Sequence, residues 1–265
     1  MDLYFEQNRD IIKLMKTNNF LNADNFILDR FPHPLHPDED GDSGPLYLAT
    51  SKSDGSVQYV IKGDLPELAC NEFMYHKVAS ALGLYTQEVK LFVNDDLKNA
   101  AGIRYVPNAT EYFHKNASIE NRNAYYAFEA LYVILNEEDS REFYLDSNNC
   151  LFKLDNSASF NLHLSPEMLK LNELLGNDIF KGVEFLEYDI YEIHRETLIK
   201  LHDNEANAPY LETFKHFANL NMNVFDEALE AVGRNYASYV VEYFYRFILR
   251  RTESCRQYLD ELGIK

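Results

Sequence analysis

Strand candidates and helix candidates occupy different parts of this chain of 265 residues. Most runs of strand-forming residues precede residue 107, and the segments that follow are mainly helical in pattern, with one further pair of strand candidates. A sheet that comes first and helices that come later favour an α+β fold with the two kinds of element segregated. A chain of this length can form one large domain or two closely packed ones.

The first well-defined unit is a hairpin. Residues 45–51 and 57–62 are rich in strand formers and are joined by a turn that contains Asp54-Gly55. An Asp-Gly pair between two such runs is a strong hairpin signal. Lys62 is therefore expected at the end of a strand.

A helix is predicted directly after this hairpin, over residues 67–83. Gly83 supplies a helix stop. Glu72 is expected on this helix, and its apolar face is formed by Leu68, Phe73, Val78 and Leu82.

The remaining elements follow the same two patterns. Strands are predicted at 87–93 and 101–106, and a buried helix at 124–135, which is apolar on nearly all sides. A strand pair is predicted at 142–146 and 150–155. Further helices are predicted at residues 2–18, 165–175, 189–201, 222–232 and 235–262, and a Pro- and Gly-rich surface loop at 31–45.

Charge and composition limit the function classes. Acidic residues number 43 against 25 Lys and Arg, for a formal net charge of −18. The negative electrostatic field of such a chain repels the phosphate backbone of nucleic acids, so nonspecific nucleic-acid binding is not expected. An acidic domain can still handle ATP, because Mg²⁺ requires carboxylates and one lysine can neutralise phosphate locally.

The cysteines and the N-terminus favour a cytoplasmic protein. The three cysteines are far apart and form no Cys-x-x-Cys motif, so we expect reduced thiols. The first ten residues contain no basic segment followed by an apolar one, and no apolar run is long enough to span a bilayer. We therefore expect neither export nor membrane association.

Four runs of residues carry a resemblance to known kinases. Three of them are residues 59–63 (YVIKG), 71–84 (NEFMYHKVASALGL) and 88–91 (EVKL), and they resemble the N-lobe of HipA-like kinases. In that family a lysine at the end of a strand precedes a helix that contains Asn-Glu. The fourth run, residues 144–160 (YLDSNNCLFKLDNSASF), resembles phosphatidylinositol-kinase-like proteins. In those proteins a hairpin strand ends in a metal-binding aspartate. The order and spacing of these runs carry the resemblance.

The resemblance implies a two-lobed, protein-kinase-like α+β fold. Residues 1–110 would form the N-terminal lobe, and residues 111–265 a helical C-terminal lobe with the catalytic hairpin. The implied cofactors are ATP and Mg²⁺, with Lys62 on the phosphates, Glu72 holding its ammonium and Asp155 binding metal.

The chain departs from the family at the catalytic loop, where an aspartate normally precedes a metal-binding asparagine by five positions. Counted back from the hairpin without gaps, Glu142 replaces the asparagine and Glu137 the aspartate. With a shortened loop, Asp139 becomes the base and Glu142 the second metal ligand. We prefer the shortened loop, because aspartate is the usual base.

Two functions from different classes follow from the resemblance. The first is a HipA-like Ser/Thr protein kinase, which implies a protein substrate. The second is a pseudokinase-like module that binds a nucleotide or a protein without transfer, which the altered catalytic loop favours. A third hypothesis, apart from these two, is a structural or toxin–antitoxin protein with an antitoxin-like partner, whose fold merely resembles that of the kinases.

Overall fold

The computed structural model of this protein describes residues 19–31, 46–62, 66–93, 100–137, 142–157, 159–160, 174–175, 204–236 and 238–264. The side chains of residues 62, 66–68 and 204–207 lie outside this description. Asp139 also lies outside the described residues, as do the helices predicted at 2–18 and 189–201. Most residues of the loop predicted at 31–45 and of the helix predicted at 165–175 lie outside them too.

A six-stranded sheet forms the first part of the fold. Its strands are β1 (Phe20–Asn22), β2 (Phe26–Arg30), β3 (Leu46–Ser51), β4 (Gln58–Lys62), β5 (Val89–Val93) and β6 (Ala100–Arg104). Their order is β1-β5-β6-β4-β3-β2. The β1–β5 pair is parallel and the other pairs are antiparallel.

The predicted hairpin is confirmed as the pair β3–β4, in which Leu46 lies opposite Lys62. Its turn is held by Asp54, whose Oδ1 accepts hydrogen bonds from the backbone N–H and the hydroxyl of Ser56 at 3.0 and 2.7 Å. The Val57 N–H also donates to the Asp54 carbonyl oxygen at 2.9 Å. Local turn chemistry therefore fixes the register of these two strands.

The predicted helix after the hairpin is confirmed as α1 (Pro66–Ala81), which packs on β5 and β6. Phe73 and Val78 are fully buried, in one core with Leu91 of β5 and Ala101 of β6. Gly83 has a φ of +77°, and its N–H donates to the Ser80 carbonyl oxygen at 3.0 Å. This positive φ ends the helix and turns the chain toward β5.

A smaller aromatic cluster is formed by side chains of β2, β4 and β5. The rings of Phe26, Tyr59 and Phe92 contact one another edge to face, with centroids 5.1 to 6.0 Å apart. Gly102 of β6 leaves room for this cluster, because a Cβ at this position would lie 2.2 Å from the Phe92 ring.

The second predicted hairpin is also confirmed. A three-stranded antiparallel sheet contains β7 (Thr110–Glu111), β8 (Glu142–Leu145) and β9 (Leu151–Leu154). In the β8–β9 turn, the Oδ1 atom of Asp146 accepts hydrogen bonds from the N–H groups of Asn148 and Cys150 at 2.8 and 2.9 Å.

Four helices that come after α1 in the chain form a common core with it. They are α2 (Ile119–Ile134), α3 (Asn204–Ala218), α4 (Asp226–Asn235) and α5 (Ser238–Glu261). Ser118 caps α2 by accepting the Asn121 N–H at 3.2 Å. A 3₁₀ turn, Met222–Phe225, precedes α4, so the helix predicted at 222–232 begins later than expected.

The sequence analysis did not predict α3. Pro209 lies inside this helix, and a proline within a helical pattern normally indicates a break. Packing outweighs this cost, because Tyr210, Phe214 and Phe217 of α3 are almost fully buried in the core with α2 and α5. Among the described residues, none of the helices combines the length and hydrophobicity needed to cross a bilayer.

Candidate functional site

Three parts of the fold meet beside the loop that follows β9: the middle of α1, the residues just after α2, and β9 itself. These parts and the loop together contribute four interacting side chains, Glu72, Glu137, Lys153 and Asn156, which we call the polar cluster. All four side chains are buried. The cluster adjoins Asp155, the predicted metal ligand.

Glu72 of α1 holds the loop after β9 directly. Its Oε2 atom accepts the Asn156 backbone N–H and its Oε1 atom accepts the Asn156 side-chain amide, both at 3.0 Å. The neighbouring Asn71 donates from Nδ2 to the Ser157 carbonyl oxygen at 2.8 Å. Consecutive residues of α1 thus bind consecutive residues of this loop.

Asp155 lies between β9 and the residues that α1 holds, and it is partly exposed. Its φ is +54°, in the left-handed region that side chains disfavour. Its Oδ1 atom accepts the Ser157 hydroxyl at 3.0 Å. The contacts made by the neighbours of Asp155 thus help to hold its backbone in this conformation.

Lys153 is the one cation of the polar cluster and is 3% exposed. Its ammonium donates to the Oε1 atom of Glu137 and lies 3.0 Å from the Oδ1 atom of Asn156. It also lies 5.6 Å from the centre of the Tyr75 ring. A buried ammonium requires such partners, because burial removes its hydration.

Glu137 is shielded from solvent, with 3% exposure. Burial raises the pKa of Glu137 to about 8; Lys153 opposes this shift, and the carboxylates of Glu72 and Asp155 add to it. Its Oε1 atom is bound to Lys153. Glu137, which the ungapped count puts in the position of the base, is therefore enclosed in the polar cluster.

The other predicted site residues are placed as follows. Lys62 ends β4 opposite Ala101 of β6, and its side chain lies outside the described part of the chain. Asp139 lies outside the described residues. Glu142 is exposed at the start of β8, opposite Leu154, the residue before Asp155. The roles of these residues stay predictions.

The sequence analysis missed Lys153 and Asn156. One signal for Lys153 was present, because strand alternation places it on the same face of β9 as Leu151, which is 2% exposed. A lysine on the buried face of a strand requires a buried partner. Asn156 offered no such signal, since Asp-Asn-Ser is an ordinary turn sequence.

Comparisons with known proteins identify the fold. No family model matches this chain, and no curated protein sequence matches it significantly. The structure is similar to the crystal structure of a Helicobacter pylori proinflammatory kinase, CtkA, with a TM-score of 0.60. The similarity covers 93% of this chain and 99% of that chain at 10% sequence identity.

This similarity confirms the predicted fold class, which is a protein-kinase-like α+β fold. It extends over almost the whole of both chains, so it is not confined to one sheet or one group of helices. At 10% identity it identifies a fold and no particular kinase family. The specific likeness to HipA stays a prediction.

Proposed function

We propose that this protein is an ATP- and Mg²⁺-dependent phosphotransferase. One observation carries the proposal: both carboxylate oxygens of Glu72 bind Asn156, the residue next to Asp155. Kinase chemistry requires a helix glutamate and a metal-binding aspartate to be in place together. In this protein, two hydrogen bonds link Glu72 to the residue that directly follows Asp155.

The available side chains fit a Mg²⁺ ion held partly by nucleotide. Among the described residues, no group of three or more His, Cys, Asp or Glu is arranged to hold a metal. Mg²⁺ in nucleotide sites commonly uses only one or two carboxylates, together with substrate phosphates and water. The carboxylates of Asp155 and Glu142 are hard oxygen ligands of this kind.

The proposed roles follow from charge and position. Bound Mg²⁺ would neutralise charge on the phosphates during transfer. Lys62 would contact the phosphates, and Glu72 would orient Lys62 while it holds the loop of Asp155. Asp139 would accept the proton of the attacking hydroxyl. The acceptor we propose is a Ser or Thr hydroxyl of a protein, as the HipA-like resemblance implies.

The environment of Glu137 favours a second candidate function, a nucleotide- or protein-binding module without transfer. In the ungapped count Glu137 is the base, yet its side chain is buried and bound to Lys153. A base must reach the proton that it removes. If Asp139 does not take this role, the fold can still bind a ligand.

A thermal-shift titration with ATP, with and without Mg²⁺, tests nucleotide and metal binding. At ATP concentrations about 100 times the Kd, we expect stabilisation of about 2.7 kcal/mol, dependent on Mg²⁺. The shift should disappear in Asp155→Ala. Asp260→Ala, which removes an exposed aspartate of α5, is the matched control and should respond as wild type does. No shift in wild type would contradict both the metal site and the nucleotide site.

Transfer from labelled ATP to protein acceptors, including the protein itself, separates the two candidate functions. The kinase proposal predicts transfer that Asp139→Ala reduces by about 100-fold or more, the usual range for a general base. Asp260→Ala is again the control. Mg²⁺-dependent binding with no transfer, and no effect of Asp139→Ala on binding, would instead support the module without transfer.

A further inference from the structure

Lys153 has a set of contacts that the proposed catalytic roles do not use. Its Nζ atom has four hydrogen-bond acceptors: Glu137, Asn156 at 3.0 Å, and the carbonyl oxygens of Leu154 at 3.3 Å and Asp155 at 3.1 Å. An ammonium has three protons, so at least one of them is shared between acceptors. A single buried charge thus organises the chain around Asp155.

Two of these acceptors define the backbone of Asp155. The carbonyl of Leu154 belongs to the peptide group before Asp155, and the carbonyl of Asp155 belongs to the group after it. Because the orientations of these two peptide groups set φ and ψ, a cation that binds both carbonyls holds the residue between them. The φ of Asp155 is +54°, in the left-handed region, which aspartate adopts more readily than most residues but still at some cost, and these two contacts favour it.

The side chain of Asn156, another of the four acceptors, connects Lys153 to α1. The Oδ1 atom of Asn156 accepts from Lys153, which orients the carboxamide so that its Nδ2 atom donates to Glu72 at 3.0 Å. Asn156 is therefore held from two sides. Glu137, the remaining acceptor, lies just after α2 and holds the Lys153 ammonium next to this loop.

We propose that Lys153, held by Glu137, is a positioning residue that sets the conformation of Asp155 and thereby the place of its carboxylate. The metal-binding part rests on the proposed function. The conformational part does not, because it concerns hydrogen bonds that exist without a ligand.

The variants are chosen to separate position from stability. Lys153→Met removes the donors and keeps the apolar stem, but it also leaves Glu137 buried without its donor and so lowers stability. The double variant Lys153→Met with Glu137→Met removes both polar groups at similar volume. Lys77→Met is the matched control, since Lys77 is a half-buried lysine of α1 that binds Asn19 instead.

The first measurement needs no ligand and follows hydrogen exchange at the backbone amide of Asn156, which donates to Glu72. In the double variant we expect exchange at this amide to be at least about tenfold faster, relative to amides in the middle of α1. Lys77→Met should leave it within about twofold of wild type. Unchanged protection in a folded double variant would overturn the proposal.

The second measurement is the Mg²⁺ concentration that half-saturates the complex with ATP. We expect a rise of about 10- to 100-fold in the double variant, the range for residues that orient metal ligands. ATP binding in EDTA should change less than about twofold. If Lys153 and Glu137 only stabilised the fold and did not position Asp155, the double variant would bind Mg²⁺ as wild type does. Absence of Mg²⁺-dependent binding in wild type would refute the proposed function, and amide exchange would still decide the role of Lys153.

Discussion

The chain that leaves β9 is held at two places by different forces. At Asn156 and Ser157, polar groups of α1 bind it through hydrogen bonds. At Phe160, the ring packs edge to face against Phe244 and Phe247 of α5, with centroids 5.0 and 5.3 Å apart. The first contact, the polar anchor, lies beside the candidate site. The second, the aromatic anchor, lies in the helical core.

The two anchors contribute different properties. Burial of an aromatic ring is non-directional and contributes several kcal/mol to folding. A buried hydrogen bond contributes about 1 kcal/mol net, but it requires defined distances and angles. The aromatic anchor therefore supplies stability, whereas the polar anchor supplies geometry at Asp155. Substitutions in the two anchors should separate these properties.

The largest loss of stability is expected for Phe160→Ala. Phe160 is fully buried, and truncation of such a ring should lower the free energy of unfolding by about 3–5 kcal/mol, measured by urea denaturation. Phe160→Leu should cost less because it fills part of the space. A loss below about 1 kcal/mol in Phe160→Ala would show that the aromatic anchor contributes little.

Glu72→Ala tests the polar anchor. It removes the acceptor of two hydrogen bonds from Asn156, and an unsatisfied buried donor costs about 1–3 kcal/mol of unfolding free energy. Mg²⁺-dependent nucleotide binding should be lost as well. Glu72→Gln, which keeps one carbonyl oxygen, should retain part of both. If Glu72→Ala kept wild-type stability and wild-type binding, the polar anchor would not set the geometry at Asp155, and the proposed difference between the two anchors would be wrong.

The pH dependence of stability should report on Glu137. Its pKa rises from an ordinary 4.5 to about 8 because of burial, so between these values the folded protein retains a proton that the unfolded chain has released. The free energy of unfolding should then fall as pH rises from 4.5 to 8, by at most about 1.4 kcal/mol per pH unit. In Glu137→Gln this contribution should be absent. Equal slopes for the two proteins in urea denaturation would contradict this prediction.

The smallest effect is expected for Tyr243→Phe, which tests the polar part of the aromatic anchor. The Tyr243 hydroxyl donates to the Phe160 carbonyl oxygen at 2.6 Å. Its removal keeps the ring packing and should cost about 0.5–1.5 kcal/mol of unfolding free energy. Mg²⁺-dependent binding of ATP should not change. A change in binding would mean that the aromatic anchor also positions Asp155.

Much of the fold could be predicted from the sequence because its signals are local. Asp54 and Ser56 lie two positions apart and close the β3–β4 turn. Gly83 ends α1 through a conformation that glycine adopts easily. The helix α3 was not predicted; Pro209 within it is typical of a break, and only the packing of the whole helix outweighs that cost.

The candidate site could be predicted only in part. The sequence placed Glu72 on a helix and Asp155 at a strand end, and the structure brings these two positions together through Asn156. Glu72 and Asn156 are 84 positions apart, and no local pattern relates them. The pairing of Lys153 with Glu137 also had no local signal, because it depends on where the end of α2 meets β9.

The sequence by itself predicted the order of most strands and helices and the turns of the two hairpins, because periodicity and turn chemistry act over a few residues. The kinase-like class of the fold was implied by the resemblance of four runs of residues to known kinases. The tertiary structure alone decided which polar side chains are buried together. Contacts between distant residues arise only when packed elements exclude water, and the burial of Lys153 and Glu137 then requires that they pair.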